Sequence, residues 1–271
     1  MLDSPFAVFA LALLFLWVSA QAGAFFHRKR NAPDEDERQD LGIVLAASLT
    51  LLGLVIGFSF SMAVTRYDHR KSSEEDEANA IGTEYWRASL LPPAQAEMVR
   101  ALLAAYLAQR VAFFTTRDAH QLEQIAAETG KLQGRLWSAV EAAASLQATP
   151  ITALVISGLN DVFNSQSYTQ AAWWNRIPGA AWTLVAVIAV FCNFLFGYAA
   201  RHTERRYRLF VVLPLIVATS FFLISDLDSP RGGVIHVFPR NLIDLSHSIA
   251  SVPAIQPPLS FRPSLHSPHP E

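Results

Sequence analysis

The sequence predicts an all-α membrane protein: four transmembrane helices, with a helical bundle domain inserted between the second and third.

 

Three observations carry this. Four long runs contain no charged residue. The 271-residue chain is 52% hydrophobic and only 16% charged, where a soluble domain carries roughly 25% charged residues. Between the second and third runs, apolar residues recur at helical spacing and no useful strand-like alternation appears. The net charge of -2, with no basic cluster interleaved with aromatics, argues against nucleic acid as a partner. The single cysteine, Cys192, excludes an intrachain disulfide framework and a cysteine-based metal site.

The first run covers residues 4–26 and is followed, not preceded, by Arg28, Lys29 and Arg30. That charge order suits a retained helix and not a cleaved signal peptide. The second covers residues 41–65, the third 177–200 and the fourth 209–225. At 1.5 Å rise per residue each can cross a hydrocarbon core of roughly 30 Å, the fourth only just. Trp173, Trp174 and Trp182 at the start of the third run, with Tyr198 and Tyr207 around its exit, are placed to act as interface anchors. Eight Lys and Arg residues flank the spans in the two short loops, against six on the opposite side. The positive-inside rule then sets the bundle outside the cell.

The chain divides at 1–65 (two spans and a short basic loop), 66–176 (a water-facing helical domain), 177–228 (two further spans), 229–252 (a post-membrane segment) and 253–271 (a tail). In the bundle, one helix starts at Pro92 and Pro93 and carries Val99, Leu103, Tyr106 and Phe114. A second runs from about residue 118 to 146, weakened locally by Gly130 and Gly134. Thr149 and Pro150 mark a break before a third, and the bundle is expected to continue directly into spans two and three. The tail holds six prolines in nineteen residues, which excludes regular helix there and predicts disorder.

No glycine-rich phosphate loop, zinc-binding histidine pair or nucleophile elbow is present, so the reading is of a protein that is not an enzyme, without catalytic residues, metal or cofactor. The run Glu74, Glu75, Asp76, Glu77 reads as a solvated helix face, a cation site being the other reading. Asp226, Asp228 and Arg231, at the end of span four, either pair and stop the helix or line an aperture. Span two is the most informative. Gly53, Gly57 and Ser61 form a small-residue stripe suited to close helix packing, and Thr50, Leu54 and Phe58 form a neighbouring row. Packing alone accounts for both rows; so does a helix with one packing face and one pore face, constricted at Leu54 and Phe58.

Several segments resemble a known family. Gly57-Phe58, followed by Ala63-Val64-Thr65-Arg66-Tyr67, is similar to the pore helix of bestrophins. The stretches 76–83 and 90–92, Asn175-Arg176-Ile177-Pro178, and Asp226 through Gly232 resemble the bacterial bestrophin-like domain family, over about residues 40–245. The resemblance implies a multi-pass protein of the bacterial inner membrane, a homo-oligomer and specifically a pentamer, passing small inorganic ions, anions above all. It also implies a pore neck at Thr50, Leu54 and Phe58, a mouth or aperture near Arg66, Asp226, Asp228 and Arg231, and a bundle in the cytoplasm, against the charge count. The acidic calcium clasp of animal bestrophins is missing, so calcium gating is not implied. The competing expectation is a non-conducting membrane sensor or assembly protein acting through its helical domain.

Overall fold

A computed structural model describes residues 4–29, 35–146, 148–199 and 209–251. Among them every regular element is helical: α1 (Pro5–Lys29), α2 (Glu35–Arg87), α3 (Pro93–Thr115), α4 (Ala119–Leu146), α5 (Pro150–Trp174), α6 (Gly179–Ala199), α7 (Leu209–Asp228) and α8 (Arg240–Ser251). The proline-rich tail and Tyr207 lie outside the described residues.

Local chemistry sets the breaks. After Arg87 a 3-10 turn, Ala88–Leu90, leads into extended Leu91, and Pro93 opens α3 where its missing N–H is no loss. Thr149 caps α5: its hydroxyl accepts from the Thr152 N–H, and the Thr152 hydroxyl receives the Thr149 N–H. Span two is continuous with the bundle, because α2 runs unbroken for 53 residues. Span three is not. The backbone turns extended at Asn175 and α6 starts only after Pro178, which disfavours helical geometry in the residue before it. Gly130 and Gly134 leave α4 unbroken.

The helices form two layers. In the first, Leu16 of α1, Leu52 of α2, Val185 and Ala189 of α6, and Val217 and Phe221 of α7 share one apolar core. In the second, the far half of α2 packs with α3, α4, α5 and α8 around Ile81, Leu103, Tyr106, Leu136, Leu159 and Leu242. Trp173 belongs to this second core and is buried against Phe113 and Phe114, so it is not an interface anchor; Trp174 beside it is exposed. Five helical stretches among the described residues are long and apolar enough to cross a membrane, one more than the four apolar runs; the addition is α3.

α1 and α6 run parallel and touch backbone to backbone at one end. A Cβ added at Gly197 would lie 1.9 Å from the Ala20 carbonyl oxygen, and one at Gly23 would lie 2.0 Å from that of Phe194. Only glycine permits this approach. The Ser19 hydroxyl donates to the Val190 carbonyl at 2.8 Å just beyond it.

Candidate pore helix and membrane–bundle junction

Helix α2 has two unlike faces. Leu52, Ser59 and Ala63 are buried against the rest of the chain. On the other side Thr50, Gly53, Leu54, Gly57, Phe58 and Ser61 are all exposed, Leu54 by 54% and Phe58 by 62%. The expected neck row and the expected packing row thus lie side by side, and neither is buried among the described residues. Nothing lies within 4 Å of a Cβ added at Gly53 or Gly57. The Thr50 hydroxyl bonds back to the Ala46 carbonyl at 2.9 Å, so it makes no contact between helices. The open stripe continues past the apolar run through Asp68, Ser72, Glu75, Asn79 and Thr83 to Trp86. From Thr50 to Trp86, 36 rises of the helix, this is about 54 Å of exposed helix face.

The two layers join where α2, α5, α6 and α7 meet. Arg66 donates to the Asn175 side-chain oxygen, and buried Arg70 donates to the Leu227 carbonyl. Asp228 accepts the Ile177 N–H at 3.0 Å, which fixes the chain between α5 and α6 to the end of α7. Asp226 accepts the N–H groups of Val234 and Ile235 at 2.8 and 2.9 Å and so closes the turn after α7. That turn needs Gly233, at φ +86°, where a Cβ would fall 1.6 Å from the Asp226 carboxylate. Arg231 reaches away from both aspartates. Its guanidinium donates to the Phe113 and Thr116 carbonyls, both at 3.3 Å, at the end of α3, and stacks over the rings of Phe113 and Trp173. Burial, with Arg110 and Arg176 adding like charge, brings its pKa down to about 10. Of the four residues expected at the mouth, the structure therefore gathers all at one junction but pairs none with another.

The acidic run is only half solvated. Glu75 and Asp76 are exposed, whereas Glu74 and Glu77 are buried, which corrects the solvated-face reading for those two. Glu74 accepts the Leu242 N–H at 2.9 Å and the Asn241 amide at 2.7 Å, holding the positive N-terminal end of α8. Glu77 forms a two-pronged ion pair with Arg110 of α3. No cluster of potential metal ligands occurs among the described residues.

Glu84 was not singled out by its sequence context. It is 0% exposed, neither carboxylate oxygen has a hydrogen-bond partner, and it lies against Gly158 of α5, where a Cβ would come within 1.9 Å of Oε2. Burial raises its pKa from 4.5 to about 8; Arg87 opposes the rise and Asp161 adds to it. A carboxyl of this kind holds its proton more tightly folded than unfolded. Stability is then highest below the unfolded value of 4.5 and falls as pH climbs to about 8, by on the order of a few kcal/mol. Glu84→Gln should flatten this dependence: melting temperatures of detergent-solubilised protein should match the wild type near pH 4.5 and exceed it above about pH 8. Parallel pH profiles for the two proteins would show that Glu84 is solvated.

An inserted helical bundle, joined by one unbroken helix to a layer of apolar helices suited to membrane insertion, defines a class of membrane protein. The chain belongs to the bestrophin-like domain family, whose model matches residues 7–242. None of the curated proteins compared matches the sequence. Among solved structures, it is similar to two variants of a bacterial bestrophin homologue from Klebsiella pneumoniae. The match to one, at 13% identity, covers 90% of this chain and 98% of that one with a TM-score of 0.62. For the other the values are 13%, 89%, 98% and 0.58. A structure described as a membrane protein matches at 12% identity over 89% of this chain and 98% of that one, with a TM-score of 0.58. At these identities the likeness is one of fold.

Proposed function

We propose that the chain is one protomer of a homopentameric, bestrophin-like ion channel of the bacterial inner membrane, with α2 of each copy facing a central axis and anions as the ions passed. The observation that carries this reading is the open face of α2. In its apolar half the face presents small, hydroxyl and bulky apolar side chains; beyond Thr65 it turns polar, as a water-filled axis requires. Thr50, Leu54 and Phe58 form the neck. Arg66 stands at the mouth, and Asp226, Asp228 and Arg231 hold its frame from behind. Gly53, Gly57 and Ser61 lie where neighbouring copies approach. Four crossings suffice: α3 stays in the bundle, tied there by the Arg110–Glu77 pair. Pro5 lies beside Gly233 in the turn after α7, which supports the start of α1 and the end of α7 lying on the same, bundle side.

Native mass spectrometry of the detergent-purified protein tests the reading, with five copies expected. A monomer would overturn it and leave a non-conducting membrane sensor acting through the bundle. Gly57→Leu should lower the yield of assembled rings while each protomer keeps its helical circular dichroism, because the added side chain meets nothing within its own chain. Leu54→Ala should leave ring yield unchanged. Equal ring yields for both variants would remove Gly57 from the contact between copies.

A further inference from the structure

From their closed end at Gly23 and Gly197, α1 and α6 splay apart towards the bundle and leave an open cleft of about 870 Å³. Leu11 and Phe15 of α1 form one wall, Trp182 and Val190 of α6 the other, and Phe221 of α7 lies at the back. The lining runs from Ser19 to Val8 along α1, a length of about 16 Å. That is half of a hydrocarbon core of roughly 30 Å, the depth of one leaflet.

The wide end, beside the bundle, is polar: Arg176, Ser225, Asp228 and Ser229 line it. Arg70, just behind, feels Asp228, Arg176 and Arg66 as its strongest charged neighbours. It is 1% exposed, and its Nη1 has no hydrogen-bond partner. Arg70, Arg176 and Arg66 thus gather beside Asp228, whose carboxylate also accepts the Ile177 N–H. An apolar cleft about as long as one leaflet is deep, closed beyond Ser19 and Val190 and lined by polar and charged groups at its wide end, complements a molecule with an apolar tail and an anionic head.

We propose that the α1–α6 cleft binds an anionic phospholipid of the bundle-side leaflet, one acyl chain between the helices and the phosphate at Arg176. The proposal rests on the membrane placement of α1 and α6 and is independent of conduction.

The test uses full-length protein in detergent, titrated with phosphatidylglycerol or phosphatidylcholine and read by native mass spectrometry and thermal shift. Phosphatidylglycerol should bind and raise the melting temperature more than phosphatidylcholine. Arg176→Gln should weaken phosphatidylglycerol binding by about tenfold. Ala186→Trp, which fills the cleft from α6, should abolish binding of both lipids without lowering the melting temperature of lipid-free protein. Equal affinity for the two lipids would overturn the headgroup assignment. Undiminished binding to Ala186→Trp would overturn the site, and a change in copy number with that variant would show that a second copy of the chain occupies the cleft. Protein recovered in the soluble fraction without detergent would instead overturn the membrane placement itself.

Discussion

Replacing Glu77 with alanine should destabilise the bundle by about 3–5 kcal/mol, the loss that follows when one member of a buried ion pair is removed. Glu77 and Arg110 are 0% and 2% exposed, and their pairing is two-pronged. The Arg110 guanidinium also lies 4.5 Å from the centroid of the Phe113 ring. Without Glu77 that charge loses its carboxylate partner in a pocket it shares with buried Tyr106. Removing both charges is a different matter. Glu77→Leu combined with Arg110→Met replaces the pair with apolar volume, and such exchanges are often neutral or stabilising. Thermal unfolding followed by circular dichroism should show a large loss for the single variant and near wild-type behaviour for the double. A single variant as stable as the wild type would mean that water reaches the pair.

The apolar runs and the starts at Pro93 and Pro150 were legible in the sequence because each is a local signal. Burial of the acidic residues was not. Arg70, Glu74, Glu77, Ile81, Glu84 and Ala88 follow one another at spacings of four and three residues and form one inward face, yet four of the six are charged. Apolar periodicity cannot see such a face, because its partners lie far along the chain: Arg110 for Glu77, Asn241 and Leu242 for Glu74. The same distance hid α8, read only as a post-membrane segment, whose N-terminal end is held by Glu74. Gly23 and Gly197 are single glycines on different helices, and only their meeting in space gives them a role. Trp173 looked like an anchor from its place beside a span, but the aromatic cluster with Phe113 and Phe114 buries it.

The largest functional effect is expected at the proposed neck. Leu54 and Phe58 project from the open face of α2, and a ring of such side chains is apolar enough to expel water and limit conduction. Changing both to alanine removes most of their bulk and widens the ring, while the protomer loses little packing because neither side chain is buried. Charge at the mouth should act on selectivity more than on flux, with Arg66 favouring anions.

Ion flux through purified protein in liposomes measures this directly, with the wild type, Leu54→Ala combined with Phe58→Ala, and empty liposomes compared under one anion gradient. Flux above empty liposomes for the wild type, and higher still for the double variant with its helical circular dichroism unchanged, is the predicted result. Flux equal to that of empty liposomes for both proteins would contradict a pore lined by α2.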